Sequence, residues 1–540
     1  MFPTIPELLA ARARSEPDRV ALIVQAAGRS SPEASGRPAG YAEAAGQPSG
    51  SSERGRVAAE LTFGAWADGA ARVAAGLAAR GVRRGDRVGL LFPAAEWTDY
   101  AVAFCGVLQA GAVAVPLSDR ATAQDRARVL ADCTATCLVH GTEPTPSKDT
   151  GAATGWAGRQ WGLGEVMTGP PTGAGEAAAG PGGPSPDPAR AGAGGLPAVR
   201  PQDPAQILYT SGTTGRPKGV LATHANLAYG LGGRRRPFAH SKHLVHAFPI
   251  GTNAAQTMLL TAIDAAPAVV TLPHFTPGRF AALIESYRAG TVFLVPAMAI
   301  ELLNAGAHER HDLSSVLLLG SAAAPLPGPV AQRLATAFPK AAITNYYTST
   351  EAAPAQTIMM VDPDRPGSVG RAVAGGSVRI CGQDGTPLPP GETGEVWMRS
   401  PAAPRAYYGD PASDVFRDGW VRMGDLGYLD EEGYLYLVDR ESDVVKSGAF
   451  KVSTLRVEEA VYAHPAVAEA AVLGVPHPVL GRALTAVIVT RAPLSAEELR
   501  LFLRDRLAPH EVPAQVHTVD ALPRNRGGKV DKRQLMGAFK

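Results

Sequence analysis

"YTSGTTGRPKGV" (residues 209–220) packs three glycines, four serine or threonine hydroxyls and one lysine into a single stretch. Neither a helix nor a strand favours that mixture. Backbone amides in a glycine-rich turn approach a phosphate closely, hydroxyls add donors without bulk, and Lys218 supplies positive charge. The stretch therefore reads as a phosphate-binding loop. Its spacing does not fit GxxxxGK[ST], which excludes the ordinary P-loop of nucleotide hydrolases. The competing reading is a flexible turn that happens to be rich in glycine and threonine.

Around this loop, short β-branched or leucine-rich runs alternate with amphipathic segments of helix length. "RVGLLF" precedes residues 96–110, "TVFLV" precedes 297–304, "SVLLLG" precedes 327–338, and "AAITNYY" follows. This rhythm predicts an α/β fold: a large, multi-layer N-terminal domain with mainly parallel sheets. Ligands in such sheets sit at the carboxyl ends of the strands. That directs attention to residues 320–325, which include Ala322 and Ala323, and to residues 345–351. From about Arg440 the pattern changes to a compact unit with a helix near 455–463, a strand pair within 468–490, a helix at 495–507 and a basic tail. The domains are therefore expected at 1–439 and 440–540, the second small, mobile and α+β. Residues 26–58 and 141–200 are rich in Gly, Ala, Pro and Ser and poor in large apolar side chains. Such segments bury too little surface to offset chain entropy, so both read as mobile surface insertions, with a linker role as the alternative for the second.

A chain of 540 residues exceeds what one core ordinarily covers. Its formal net charge of +2 gives no bulk attraction to nucleic acid or to an anionic membrane. The run Arg234, Arg235, Arg236 reads as a solvated loop. Cys105, Cys133, Cys137 and Cys381 form neither a CxxC pair nor a metal-ligand pattern. They read as free, mostly buried thiols in a reducing compartment, without disulfide or zinc. Arginine, proline and glutamate interrupt the first apolar run, and no stretch reaches membrane-spanning length. A cytoplasmic location without a membrane span is the expectation.

After the loop come, in order, "NYYTSTE" (345–351), "GWVRMGDLGYLDEEGYLYLVDR" (419–440), "DVVKSGAFKVSTLRVEE" and "LPRNRGGKVDKRQL". Together with "YTSGTTGRPKG" they resemble the ordered signatures of the adenylate-forming enzymes, the acyl-CoA synthetase and AMP-dependent ligase family. The likeness spans essentially the whole chain apart from the two insertions. It departs from the family pattern at Thr348, where a glycine is usual, at Ser442, where the hinge residue is usually aspartate or lysine, and at Ala449, where a second glycine is common.

The resemblance implies an enzyme that joins a carboxylate to the α-phosphate of ATP, expels pyrophosphate, and passes the acyl group to a thiol. Such a site must bring two anions together, so cations and amide donors are needed. By resemblance Lys529 bridges the carboxylate and the α-phosphate, Glu351 holds Mg2+, and Thr350 donates to the α-phosphate. Thr210, Ser211, Gly212, Thr213, Thr214, Gly215 and Lys218 cover the phosphates. Ala322, Ala323, Asn345, Tyr346 and Tyr347 belong by resemblance to the nucleotide-binding set, with Tyr347 stacking on adenine and Asn345 reading its amino group. Asp425 and Arg440 take the ribose. After rotation of the small domain, Lys446 comes near the acyl group beside the pantetheine tunnel, with Gly448 in the same loop. Taken singly, Lys529 is a solvated lysine among Arg524, Arg526, Lys532 and Arg533, Glu351 a helix-end charge and Asp425 a turn residue.

The substrate is read from "HAFPIGTNAAQTMLL", which has no acid to pair an amino group and has Gly251 and Thr252 where acyl-CoA synthetases often carry a histidine. An unpaired buried ammonium is costly, so an amino acid is disfavoured. The small residues suggest room for a bulky or branched apolar acid, with Met258 and Met298 as candidate lining. The expected acceptor is CoA. The alternatives are the phosphopantetheine of a carrier protein, and, from a different class, a nucleotide-binding regulatory protein that has lost catalysis.

Overall fold

The computed structural model of the chain describes residues 4–26, 57–142, 156, 158–168, 198–210, 217–373, 375–410, 413–440, 443–447, 450–478, 480–525 and 528–539. Ser211, Gly212, Thr213, Thr214 and Gly215, together with Ser442, Gly448 and Ala449, lie outside these residues.

Strand Pro204–Thr210 enters the opening loop and strand Lys218–Thr223 leaves it, the two paired antiparallel with Thr210 opposite Lys218. They belong to a seven-stranded sheet whose inner strands, Val113–Leu117, Arg87–Leu91 and Cys137–His140, run parallel. The second large sheet, of 14 described strands, has a parallel half built from Val20–Gln25, Ala268–Thr271, His243–His246, Thr291–Leu294, Leu318–Ser321 and Ala342–Tyr347. Helices Trp97–Gln109, Pro296–Asn304 and Gly328–Ala337 make the crossovers that the sequence rhythm predicts.

From Thr357 to Arg440 that sheet continues with antiparallel strands, so both sheets are mixed. Tight turns replace crossover helices there. Asp418 and Gly419 take φ of +53° and +76° between Phe416–Arg417 and Trp420–Leu429, the geometry of a two-residue hairpin loop.

The interior is closely packed. Helices Phe63–Ala79 and Trp97–Gln109 lie against each other, with Trp66, Trp97 and Tyr100 fully buried. Trp66 Nε1 donates to the Ala101 carbonyl at 2.9 Å, and Tyr100 OH donates to Gln256 Oε1 at 2.7 Å, so these two rings keep their polar atoms paired. A Cβ at Gly106 would lie 2.5 Å from the Val73 side chain, so glycine sets the approach of the two helices.

Two expectations need correction. The segment 141–200 is not wholly a surface insertion: strand Arg159–Gly162 adds in parallel to Cys137–His140, and helix Leu163–Thr168 buries Leu163 and Val166 in the core. Trp156 is buried as well, donating to the Ala135 carbonyl at 2.8 Å. The apolar residues of "WGLGEV" are outnumbered over the long window by glycine, alanine and proline, which is why composition hid them. Arg236 also leaves the solvated-loop description, because it pairs with Glu16 at 2.8 Å, while Arg234 and Arg235 remain exposed.

After Arg440 the chain builds a three-stranded sheet, Val467–His477, Gly481–Thr490 and Gln515–Thr518, packed by helices Thr454–Tyr462 and Ala496–Arg504 around a core of its own. Ser495 and Glu498 close a capping box on the second helix. All four cysteines are buried and free. Among the described residues no helix is long and apolar enough to cross a membrane.

Two core histidines make stability depend on pH. Burial lowers His246 to about 3 and His224 to about 4, from an ordinary value of 6.5. Both are neutral in the fold, so their contribution is complete above 6.5. As pH falls below that value the unfolded chain takes up protons that the fold refuses, at up to ~1.4 kcal/mol per pH unit for each histidine. The melting temperature should therefore fall between pH 7 and pH 5, and less steeply in His246→Gln.

Candidate active site

A cleft of about 1510 Å³ opens at the carboxyl ends of the parallel strands and reaches the small domain. Thr210, Ala322, Ala323, Tyr346, Thr350 and Lys529 line it directly. Ala322 follows strand Leu318–Ser321, and Ala323 takes a φ of +75°, so this turn brings backbone and small side chains to the cleft. Strand Ala342–Tyr347 delivers alternate side chains to opposite sides: Tyr346 packs against Phe293 at 5.5 Å between ring centres, whereas Tyr347 turns to Asp425. Asn345 is buried, and its Oδ1 has no hydrogen-bond partner among the described residues. A buried acceptor left open can take a donor from water or from a ligand.

Glu351 stands at the mouth of the phosphate loop. Thr210 Oγ1 donates to Glu351 Oε1 at 3.4 Å, and Tyr407 OH donates to the same oxygen at 3.2 Å. Lys218 Nζ sits 4.5 Å over the Tyr407 ring, which anchors the cation at the other end of the loop. Behind them, buried Arg405 donates from Nη1 to the Thr350 carbonyl at 2.8 Å and from Nε to Asn226 Oδ1 at 2.9 Å. Burial holds the Arg405 guanidinium down to about 10, with Glu351 acting in the opposite sense.

Sequence reasoning missed Arg405, Tyr407 and Asn226. Only the pairing of strand Ala406–Tyr407 with Val220 and Leu221 brings "RAYY" beside the loop, and no local pattern announces that long-range contact.

Asp425 and Arg440 face each other across adjacent strands and form an ion pair, Nε to Oδ1, at 3.3 Å. Tyr347 OH donates to the other carboxylate oxygen at 2.6 Å. Burial raises the Asp425 carboxyl, and Arg440, Tyr347 and Lys529 pull it back.

Lys529 is carried by a tight turn of the small domain. Asn525 N donates to the Lys529 carbonyl at 2.7 Å, Lys529 N donates to Asn525 Oδ1 at 3.1 Å, and Gly528 takes a φ of +81°. Arg524 fastens the turn, donating to the Gly528 carbonyl at 3.2 Å and pairing with Glu469 of the small domain at 2.8 Å and with Glu301 of the large one at 4.0 Å. Lys529 stays open to water in the cleft yet has protein on nearly every side. Desolvation, reinforced by Arg440, lowers it to about 8, while Asp425 and Glu351 oppose the shift. Lys529, Thr210 and Thr350 thus line one cleft, while the Glu351 and Asp425 carboxylates are near enough to act on the Lys529 ammonium. Such a set can hold a polyphosphate beside a second anion and stabilise charge that develops between them.

Lys446 is not part of this assembly. It is exposed on the hairpin Val445–Ser447 and Phe450–Val452, opposite Lys451. Phe238, Phe248, Met258, Phe293 and Met298 give the cleft an apolar wall, and Asp125, Arg126, Arg128 and Asp132 also line the cleft. Gly251 does not open space there as its size suggested. Its φ is +90°, and a Cβ would lie 3.0 Å from Ser118 N, so glycine serves a close backbone approach. Thr252 is occupied too: its hydroxyl caps helix Asn253–Asp264 through Ala255 N and donates to the Pro249 carbonyl. At Thr348, in place of the usual glycine, Oγ1 donates to the Ala355 carbonyl at 2.7 Å.

Fold and site define an adenylate-forming α/β enzyme with a small C-terminal domain, and the chain belongs to the AMP-binding enzyme family. It matches that family over residues 42–408 and its C-terminal domain over residues 456–529. It is an AMP-forming ligase of the acyl-CoA synthetase kind. A feruloyl-CoA synthase from Amycolatopsis sp. is 35% identical over 493 residues, covering 89% of this chain and 94% of that one. Among solved structures, ATP-bound MatB from Rhodopseudomonas palustris is similar with a TM-score of 0.75 and 30% identity, over 89% and 94% of the two chains. The amide bond synthetase McbA from Marinactinospora thermotolerans is similar with a TM-score of 0.74 and 28% identity, over 89% and 95%.

Proposed function

We propose that this chain activates a bulky, apolar monocarboxylic acid with ATP and transfers the acyl group to the thiol of CoA. The observation that carries the reading is the delivery of Lys529 by the small domain into the cleft that also holds Thr210, Thr350 and the apolar wall. In the first step a carboxylate oxygen of the acid attacks the α-phosphorus of ATP. The bond to the bridging oxygen breaks, and pyrophosphate leaves with its electron pair. Lys529 lies between the carboxylate and the α-phosphate and compensates the charge that builds up on the phosphorus-bound oxygens. Thr350 donates to the same phosphate, while Thr210 and Lys218 hold the end that departs.

The open acceptor of Asn345 suits the adenine amino group, and Asp425, already positioned by Tyr347 and Arg440, can accept from both ribose hydroxyls. Among the described residues no trio of His, Cys, Asp or Glu is arranged as a metal site. A lone carboxylate at Glu351 fits an ion that takes its remaining ligands from phosphate and water, as Mg2+ does. When bound, that ion supplies Lewis-acid charge to the phosphate oxygens. In the second step the CoA sulfur attacks the acyl carbon, the thiol proton leaves, and AMP departs. The exposed position of Lys446 suits a role only after the small domain has turned.

The apolar side chains of Phe238, Phe248, Met258, Phe293 and Met298 support the acid class, and Arg126, Arg128, Arg524 and Arg533, which line the same cleft, make a dicarboxylic acid the comparison that tests it. The similarity to a feruloyl-CoA synthase points the same way. In a panel of acids, kcat/KM for aromatic and branched monocarboxylic acids should exceed that for acetate and for short dicarboxylic acids by about a hundredfold, roughly 2.7 kcal/mol. A preference for acetate or for a dicarboxylic acid would refute the substrate assignment. The likeness to an amide bond synthetase supports a second reading in which an amine replaces the thiol, so the panel includes an amine arm. A carrier-protein acceptor draws no support from these relatives.

A further inference from the structure

Glu351 lies in the chain between two backbone carbonyls that neighbouring side chains hold. Arg405 Nη1 donates to the Thr350 carbonyl at 2.8 Å, and Asn226 Nδ2 donates to the Ala353 carbonyl at 3.1 Å. The two holders are joined, Arg405 Nε donating to Asn226 Oδ1 at 2.9 Å, and Asn226 Nδ2 also donates to the Ala403 carbonyl at 2.7 Å. Asn226 belongs to helix His224–Ala228, which directly follows the strand that leaves the phosphate loop. Two residues beyond Arg405, Tyr407 OH donates to Glu351 Oε1 at 3.2 Å. One clamp thus ties the motif carrying Thr350 and Glu351 to the far end of the loop.

Packing does not account for the charge of Arg405. The residue is 8% exposed and Asn226 3%. The two acceptors just named, an amide oxygen and a peptide oxygen, are neutral, and the carboxylate that acts on the guanidinium is Glu351. A buried cation is costly, and packing alone is served as well by an apolar side chain. A planar fork of donors, by contrast, can hold the Thr350 carbonyl and the Asn226 amide at the same time.

We propose that Arg405 is a positioning residue for adenylation: through the Thr350 carbonyl, with Asn226 closing the other side of the clamp, it sets the Thr350 hydroxyl and the Glu351 carboxylate toward the phosphates and their Mg2+. This rests on the function proposed above, which gives Glu351 an ion to hold. A misplacement of about 1 Å can cost on the order of a hundredfold in rate, so a loosened clamp lowers kcat while the apolar wall that receives the acid stays as it is.

Titration calorimetry with ATP and pyrophosphate exchange, both on the full chain, test this in Arg405→Met, Arg405→Lys, Glu351→Gln and the double variant of Arg405→Met with Glu351→Gln. Mg2+ should tighten ATP binding in wild type. Arg405→Met should cut that gain at least ~5-fold, while metal-free ATP affinity moves less than ~3-fold. In exchange, its kcat should fall at least ~10-fold with KM for the acid changed less than ~3-fold, and Arg405→Lys should recover part of the loss. In the Glu351→Gln background the same substitution should cost at least ~3-fold less than in wild type, because the carboxylate it positions has lost its charge. Equal cost in both backgrounds, or an unchanged Mg2+ gain, overturns the proposal. Should Arg405→Met melt far below wild type, Asn226→Ala opens the other side of the clamp and takes its place, with the same outcomes. Wild-type protein that exchanges no pyrophosphate with any acid would refute the proposed function instead, and the Mg2+ gain in calorimetry would still decide the role of Arg405.

Discussion

Lys529→Ala should lower acid-dependent adenylate formation about a thousandfold, ~4 kcal/mol of transition-state stabilisation, while ATP affinity changes severalfold at most. The asymmetry follows from where the ammonium sits. It faces the region between Glu351, Asp425 and the apolar wall, where charge develops only as the new bond forms. Lys529 is held at about 8 by desolvation, and the charged form is the active one, so kcat/KM for adenylation should decline as pH rises through 8. Pyrophosphate exchange in wild type and variant, followed from pH 6 to pH 10, measures both effects. A variant that turns over at the wild-type rate would remove Lys529 from the chemistry.

Glu351→Gln is expected to cost about a hundredfold in adenylation, ~2.7 kcal/mol, and to raise the Mg2+ concentration for half-maximal rate at least tenfold. Glutamine keeps an oxygen for the Thr210 and Tyr407 hydroxyls, so the loop mouth retains its hydrogen bonds and only the charge is lost. A Mg2+ titration of initial rates at fixed ATP distinguishes this from a packing defect, which would lower the rate without moving the metal midpoint.

Much of this arrangement is legible in the sequence because the decisive signals are local. The runs around Arg87–Leu91, Thr291–Leu294 and Ala342–Tyr347 announce parallel strands, and the crossover helices follow at the expected distances. The motifs at 345–351 and 419–440 carry their own residues to one place, so Tyr347, Asp425 and Arg440 do form a connected group.

What escapes the sequence depends on contacts between distant segments. Arg405 and Tyr407 acquire meaning only when their short strand pairs with Val220, and "WGLGEV" only when it docks on Cys137–His140 and the helix containing Gly76, where a Cβ would strike the Val166 carbonyl. Gly251 misled for the opposite reason: a missing side chain reads as space until the neighbouring backbone at Ser118 is known. Lys529 sits among charged residues that resemble a solvated tail, and its position follows from the Arg524 anchors to Glu301 and Glu469 rather than from its neighbours in the chain.

The central claim is most directly tested by mass spectrometry of reactions containing the protein, Mg-ATP and a library of apolar and aromatic acids, run in parallel with and without CoA. The account predicts an acid-dependent acyl adenylate without CoA and its conversion to the matching CoA thioester when CoA is present. An adenylate that persists unchanged in the presence of CoA, or no adenylate with any acid, would contradict it.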